Sequence, residues 1–296
     1  MHFLKQLLAV AAIAVSAQAA AEPGITDNSL TLGMTSPFSG TNGVYGTDMR
    51  QVIQTYFDQV NKAGGGNGRK INLVALDDGY ETDRAVANTK SLIEEKNVFA
   101  LLASYGSSPT TEAMNKVFGP AKVPLVGTIS GAGSLREPIS QNLNGRYMFN
   151  VRASYADETE AIVSQLVSLG LKNIAVFYQN DGFGKSGLDG VTVALKKHNL
   201  APTTAATVER NSVDVTAAVE AIAKSKPQAV VMVTLYKPTA AFVKAMKKAN
   251  QSPMFMTLSP VGTEQLVAEL GPDARGIGIS QVMPYPFNDI VPMVRD

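Results

Sequence analysis

The chain has 296 residues, with 26 basic side chains against 25 acidic ones. So even a balance gives no electrostatic reason to expect nucleic acid or an anionic membrane surface as partner. Cysteine is absent and histidine occurs twice, which excludes disulfide staples, thiolate catalysis and Cys-ligated zinc.

Residues 1–21 are expected to lie outside the fold. MHFLKQLLAVAAIAVSAQAA places Lys5 ahead of an apolar segment, Leu7 to Val15, and small residues follow. Ala17-Gln18-Ala19 fits the A-x-A pattern, so a signal peptide cleaved near Ala19–Ala21 is expected, with export to the periplasm. A membrane anchor is the alternative, but the run is shorter than the ~20 residues a spanning helix needs. Losing Lys5 makes the basic and acidic counts equal. About 275 residues then remain, near the size at which one core gives way to two.

LTLGMTS (30–36) reads as a strand, followed by a helix beginning near Gly46. Its apolar residues Met49, Val52, Ile53, Tyr56, Phe57 and Val60 recur at three and four positions, one face of a helix. AGGGNGRK stops it, because glycine accepts the left-handed conformation of a helix end. Then come a strand INLVALDD (71–78), a helix over 82–96, a strand VFALLAS (98–104), a helix over 109–119 and a strand VPLVGT (123–128). The pattern restarts with ADETEAIVSQLVSLG as a helix and NIAVFY (173–178) as a strand, and it alternates through PMFMTLS. Such alternation implies an α/β fold of parallel sheets covered on both faces. Two series divided near GRYMFNVRAS (145–154) imply two doubly wound lobes, over 22–145 and 146–275. Ligands of open α/β sheets bind beyond the carboxyl ends of strands, here the loops after 36, 104, 128, 178, 235 and 258.

The loop SYGSSPTTEAM (104–114) crowds hydroxyls around a glycine and a proline. A nucleophilic serine needs a base. His2 falls in the leader, His198 sits in KKHNL at a helix end, and G-x-S-x-G is absent. No G-x-x-x-x-G-K-[ST] occurs, and the Gly64–Gly68 cluster follows a helix, the wrong context for a dinucleotide loop. No cofactor and no metal are expected; Asp77-Asp78 more simply organises the turn after its strand. What remains is capping or a carboxylate cradle. Ser108 reads as N-cap, Pro109 as first helical residue and Glu112 as first-turn acid, with Ser107 or Ser108 as hydroxyl partners. Tyr45, Asp157, Phe183, Tyr236 and Ser259 stand at the other switch-point loops, and together they would give a small pocket with few polar anchors.

Six motifs in order carry a family resemblance: LTLGMTSPFSG…YG, NKAGGGNGRKINLVALDD, YGSSPTTEA, VPLVGTISGAGSLRE, YQNDGFGKSG and FMTLSPVGTEQL. From Ile25 onward the chain resembles the periplasmic solute-binding proteins of ABC transporters, in the branched-chain amino acid (Leu/Ile/Val) binding group. The resemblance implies a type I Venus-flytrap fold with three linkers, the second near ARGIGISQVMPYP. Residues 276–296 would be that crossover and the start of a return to the first lobe, the remainder being cut short. It carries ligand contacts onto Tyr45, Ser108, Ile129 and Gly131 in the first lobe, and Asp157, Phe183, Tyr236 and Ser259 in the second. Gly131 replaces a threonine, Phe183 a tyrosine, and Ser259 the glutamate that pairs with the ligand ammonium. Asp157 is left to compensate that charge. The implied protein is a monomeric, non-catalytic receptor that closes on a small carboxylate-bearing ligand and delivers it to a membrane permease. A receptor for aromatic or aliphatic acids or amides, a signalling sensor and a Rossmann-type enzyme are the alternatives.

Overall fold

The computed structural model describes residues 22–295; the expected signal peptide lies outside the described residues. Two five-stranded sheets, all parallel, account for the ten strands among the described residues. The first contains β1 (Ser29–Ser36), β2 (Lys70–Asp77), β3 (Ala100–Leu102), β4 (Leu125–Val126) and β5 (Met148–Phe149), in the order β2-β1-β3-β4-β5. Its longest ladder runs from Ser29 opposite Lys70 to Ser36 opposite Asp77. The second contains β6 (Ile174–Gln179), β7 (Ala205–Val208), β8 (Ala229–Val233), β9 (Met254–Thr257) and β10 (Ile277–Ile279), in the order β10-β9-β8-β6-β7. Its last strand therefore lies inside the stretch read as the second crossover.

Both sheets follow from the apolar runs. β8, AVVMV, is buried at every position, as a central parallel strand covered on both faces should be. Helices α1 (Gly43–Lys62), α2 (Thr82–Glu94) and α3 (Ser107–Ala113) accompany the first sheet. Helices α4 (Tyr155–Ser168), α5 (Gly182–Lys196), α6 (Thr216–Ser225), α7 (Tyr236–Lys248) and α8 (Thr263–Leu270) accompany the second.

Two local expectations are corrected. Helix α1 starts at Gly43, and of its expected apolar stripe only Phe57 is fully buried, while Val52 and Tyr56 are exposed. Nothing among the described residues covers that side. Helix α3 starts at Ser107 with Gly106 as N-cap, at φ 95°, so Ser108 is not the capping residue. The chain enters that helix through a left-handed residue, and a Cβ on Gly106 would lie 2.6 Å from Tyr80 Cε2. Its last turn widens into a π-helix over Met114–Phe118.

Candidate functional site

The carboxyl ends of both sheets face each other, and one buried cluster crosses between them. It joins Tyr80, Tyr105 and Ala132 of the first lobe to Tyr155, Phe183, Leu235 and Leu258 of the second. Rings run through it in chains: Tyr45 stacks on Tyr105 at 5.2 Å, Tyr105 meets Tyr80 at 5.6 Å, and Tyr236 meets Tyr45 edge-on at 5.8 Å. Such pairs add about 0.5–1.5 kcal/mol beyond their area burial. Burial pushes the phenols of Tyr80 and Tyr105 well above the usual range, so both stay protonated.

Polar groups along this seam are satisfied across it. Gly182 N donates to Ser108 Oγ at 2.9 Å, and Gln179 Nε2 donates to Tyr80 OH at 3.1 Å. Asn42 Nδ2 donates to Asn211 Oδ1 at 2.7 Å, Asn211 Nδ2 to Glu81 Oε1 at 2.6 Å, and Arg210 to Thr82 Oγ1 at 2.7 Å. Tyr45 OH donates to Val261 O at 2.6 Å, and Tyr236 OH to Thr41 O at 3.2 Å.

Tyr80 is held by the turn after β2. Asp78 Oδ1 accepts from Tyr80 N, and Oδ2 accepts from Thr35 Oγ1 at 2.8 Å. Asp78 is fully buried, and that burial raises its carboxyl to about 6 despite both bonds. At Asp77, partial burial acts upward too, but bonds from Ser39, Phe38 and Gly79 outweigh it and leave the group at about 2. The turn-organising reading of this pair fits both sets of bonds.

Beside the seam lies a cavity of about 350 Å³. The first lobe contributes Tyr45, Tyr105 and Ile129 to its wall, and the first crossover contributes Arg152. Ser259 and Gln265 come from the second lobe, Gln281 and Met283 from beyond β10. Arg152 Nη2 donates to Glu158 Oε1 at 2.6 Å and to Ser259 Oγ at 2.8 Å. Glu158 is buried, and its Oε2 accepts from Ser259 N at 2.9 Å and Ser280 Oγ at 2.6 Å. This carboxylate thus ties the first crossover and the segment after β10 to one loop of the second lobe.

The expected site residues divide into three groups. Tyr45, Ile129 and Ser259 line the cavity. Ser107, Ser108, Gly131, Phe183 and Tyr236 belong to the seam or its support. Ser107 Oγ is 2.8 Å from Ser130 Oγ, both buried, and Tyr236 packs on Tyr45. Gly131 makes room for Tyr155: a Cβ there would lie 2.5 Å from Tyr155 Cδ1, and the Tyr155 ring packs 5.1 Å from Phe183. Asp157 stands apart. It is exposed, and its carboxylate closes a capping box with Ser154, whose hydrogen bonds hold it below the usual range. Sequence reasoning missed Arg152, Glu158, Tyr80, Tyr105 and Tyr155. Among the described residues no group of three or more acidic or histidine side chains is placed to hold a metal ion.

Two doubly wound parallel sheets facing each other at their carboxyl ends, linked by crossing strands of chain, define a bilobal solute-binding protein. The chain belongs to the periplasmic binding protein family, whose model matches residues 29–291. It is 26% identical over 276 residues to an amino acid binding protein of Pseudomonas aeruginosa, covering 91% of this chain and 70% of that one. Leu/Ile/Val-binding protein homolog 7 of Brucella abortus is 28% identical over 257 residues, covering 83% of this chain and 61% of the relative. Among solved structures, a possible leucine/isoleucine/valine-binding protein from Rhodopirellula baltica superposes with a TM-score of 0.84 at 31% identity. That match covers 94% of this chain and 74% of the other. These relatives bear out the resemblance to the branched-chain group, and family and fold are those of solute-binding receptors. Among the described residues no helix is long and apolar enough to cross a membrane.

Proposed function

We propose that this chain is an exported, monomeric and non-catalytic receptor of an ABC importer. It encloses a small carboxylate-bearing molecule between its lobes in the periplasm and presents it to a membrane permease. One observation carries the reading: a cavity is walled by residues of both lobes, by Arg152 of the segment linking them and by the segment after β10, so hinge bending would open and close it. Its volume falls within the range of small-molecule sites, roughly 300–1,000 Å³. Tyr45, Ile129 and Ser259 contact the ligand in this reading, while Ser107, Ser108, Gly131, Phe183 and Tyr236 shape and seal the closed form. Asp157 keeps its capping role. The relatives' names support amino acids or similar small acids as the ligand class.

Thermal-shift and calorimetric titration against aliphatic and aromatic amino acids, aromatic acids and short-chain acids tests this. The expected result is one-to-one binding of at least one of them, with the ligand recovered chemically unchanged. Turnover of the bound molecule, or no stabilisation by any of these classes, would overturn it.

A further inference from the structure

The cavity wall holds one charged side chain, Arg152, and no carboxylate. The Arg152 side chain is 10% exposed. An arginine carries five N–H donors. Nη2 is engaged by Glu158 and Ser259, whereas the buried Nε–H meets no acceptor and Nη1 makes no hydrogen bond within the protein. Its partner Glu158 is in the opposite condition, with both oxygens occupied by Arg152, Ser259 N and Ser280 Oγ. The guanidinium lies 5.3 Å from the Tyr155 ring centroid and its Nε–H is enclosed, so the pair presents Nη1, a donor, and no acceptor to the cavity. A buried charged donor left without a partner is costly, so the group suits a ligand that brings an acceptor.

We propose that Arg152 is a ligand-binding residue that holds the carboxylate of an acid lacking an α-ammonium group, an aliphatic or aromatic carboxylic acid in preference to a zwitterionic amino acid. This rests on the receptor reading above. A ligand ammonium in this cavity would share it with Arg152 and find no carboxylate in the wall. Asp157 is exposed and tied to Ser154, so it does not supply one. Tyr45, Tyr105 and Ile129 face the remainder of the ligand with ring and aliphatic surface.

Calorimetry with three ligands sharing one isobutyl chain isolates the head group: isocaproate, isocaproamide and leucine. 3-Phenylpropionate, its amide and phenylalanine repeat the series with a benzyl group. In at least one series the acid binds about tenfold or more tighter than both amide and amino acid, the scale of a hydrogen bond to a charged group. Arg152→Lys keeps the charge facing Glu158 but removes Nη1 and the planar fork. The acid-to-amide ratio then falls about tenfold while the melting temperature stays close to wild type. A purely structural arginine would lower the melting temperature and leave that ratio unchanged, which overturns the proposal. Should the variant not fold, the wild-type series decides alone. One-to-one binding of leucine or phenylalanine as tight as the matching acid sinks the Arg152 assignment and leaves the receptor reading standing. Binding of no small molecule at all sinks both.

Discussion

The seam between the lobes and the cavity beside it are made of the same residue types but handle polar groups in opposite ways. In the seam, Ser108, Gln179, Asn211 and Arg210 all bond to partners on the facing lobe. In the cavity wall, Arg152 keeps a buried N–H without an acceptor. Groups that hold the lobes together are used up on each other; the group left over is the one proposed for recognition. Tyr45 takes part in both, lining the cavity and bonding Val261, whereas Ser108 and Arg152 let closure and the proposed binding be perturbed separately.

The largest effect is expected at the cavity. Glu158→Ala strands the Arg152 guanidinium beside a lost anion, and breaking such a buried pair costs about 3–5 kcal/mol. Urea denaturation should show it, and a change below about 1 kcal/mol would mean that the pair is solvated in solution. Next comes Asp78, which supports the seam through Tyr80. Its folded value of about 6 exceeds the ordinary aspartate value of 3.8, so the native state holds the extra proton between those limits. Its contribution to stability therefore falls as pH rises from 4 to 6 and stays low above 6, by at most about 3 kcal/mol. Asp78→Asn should remove that slope, read as urea midpoints against pH; an unchanged slope would mean the carboxyl is hydrated. Gly131→Thr forces a side chain against Tyr155, an overpacking cost of about 1–3 kcal/mol, and should favour open lobes in small-angle scattering. Ser108→Ala is the mildest. It deprives Gly182 N of its acceptor, costing about 1 kcal/mol of closure, and ligand affinity should drop less than with Arg152→Lys.

Much of the fold was legible because β6 and β8 are continuous apolar runs flanked by helical periodicity. The strand-end loops singled out in the sequence include Tyr45, Ile129 and Ser259, which line one cavity. Arg152 escaped because it lies between elements, in a segment with no period to give it a face. Consecutive carboxylates also cannot be told apart by type. Asp157 is three residues after the Ser154 N-cap and so completes the capping box, while Glu158, one step further round the helix, turns inward to Arg152. The start of α3 lies two residues earlier than expected because Gly106, at positive φ, serves as the cap that Ser108 was read to be. Tyr155 entered the site through the absence of a side chain at Gly131, a relation between distant residues that local pattern does not record.

The ring chain has an optical consequence. The protein has nine tyrosines and no tryptophan, so its intrinsic ultraviolet emission comes from tyrosine alone. Five of the nine, Tyr45, Tyr80, Tyr105, Tyr155 and Tyr236, sit where the lobes meet, several bonded through their hydroxyls or stacked on one another. Parting the lobes breaks the Tyr45–Val261, Tyr80–Gln179 and Tyr236–Thr41 bonds together. Phenol emission responds to hydrogen bonding and ring contact, so the unlabelled protein carries its own signal for opening and closing.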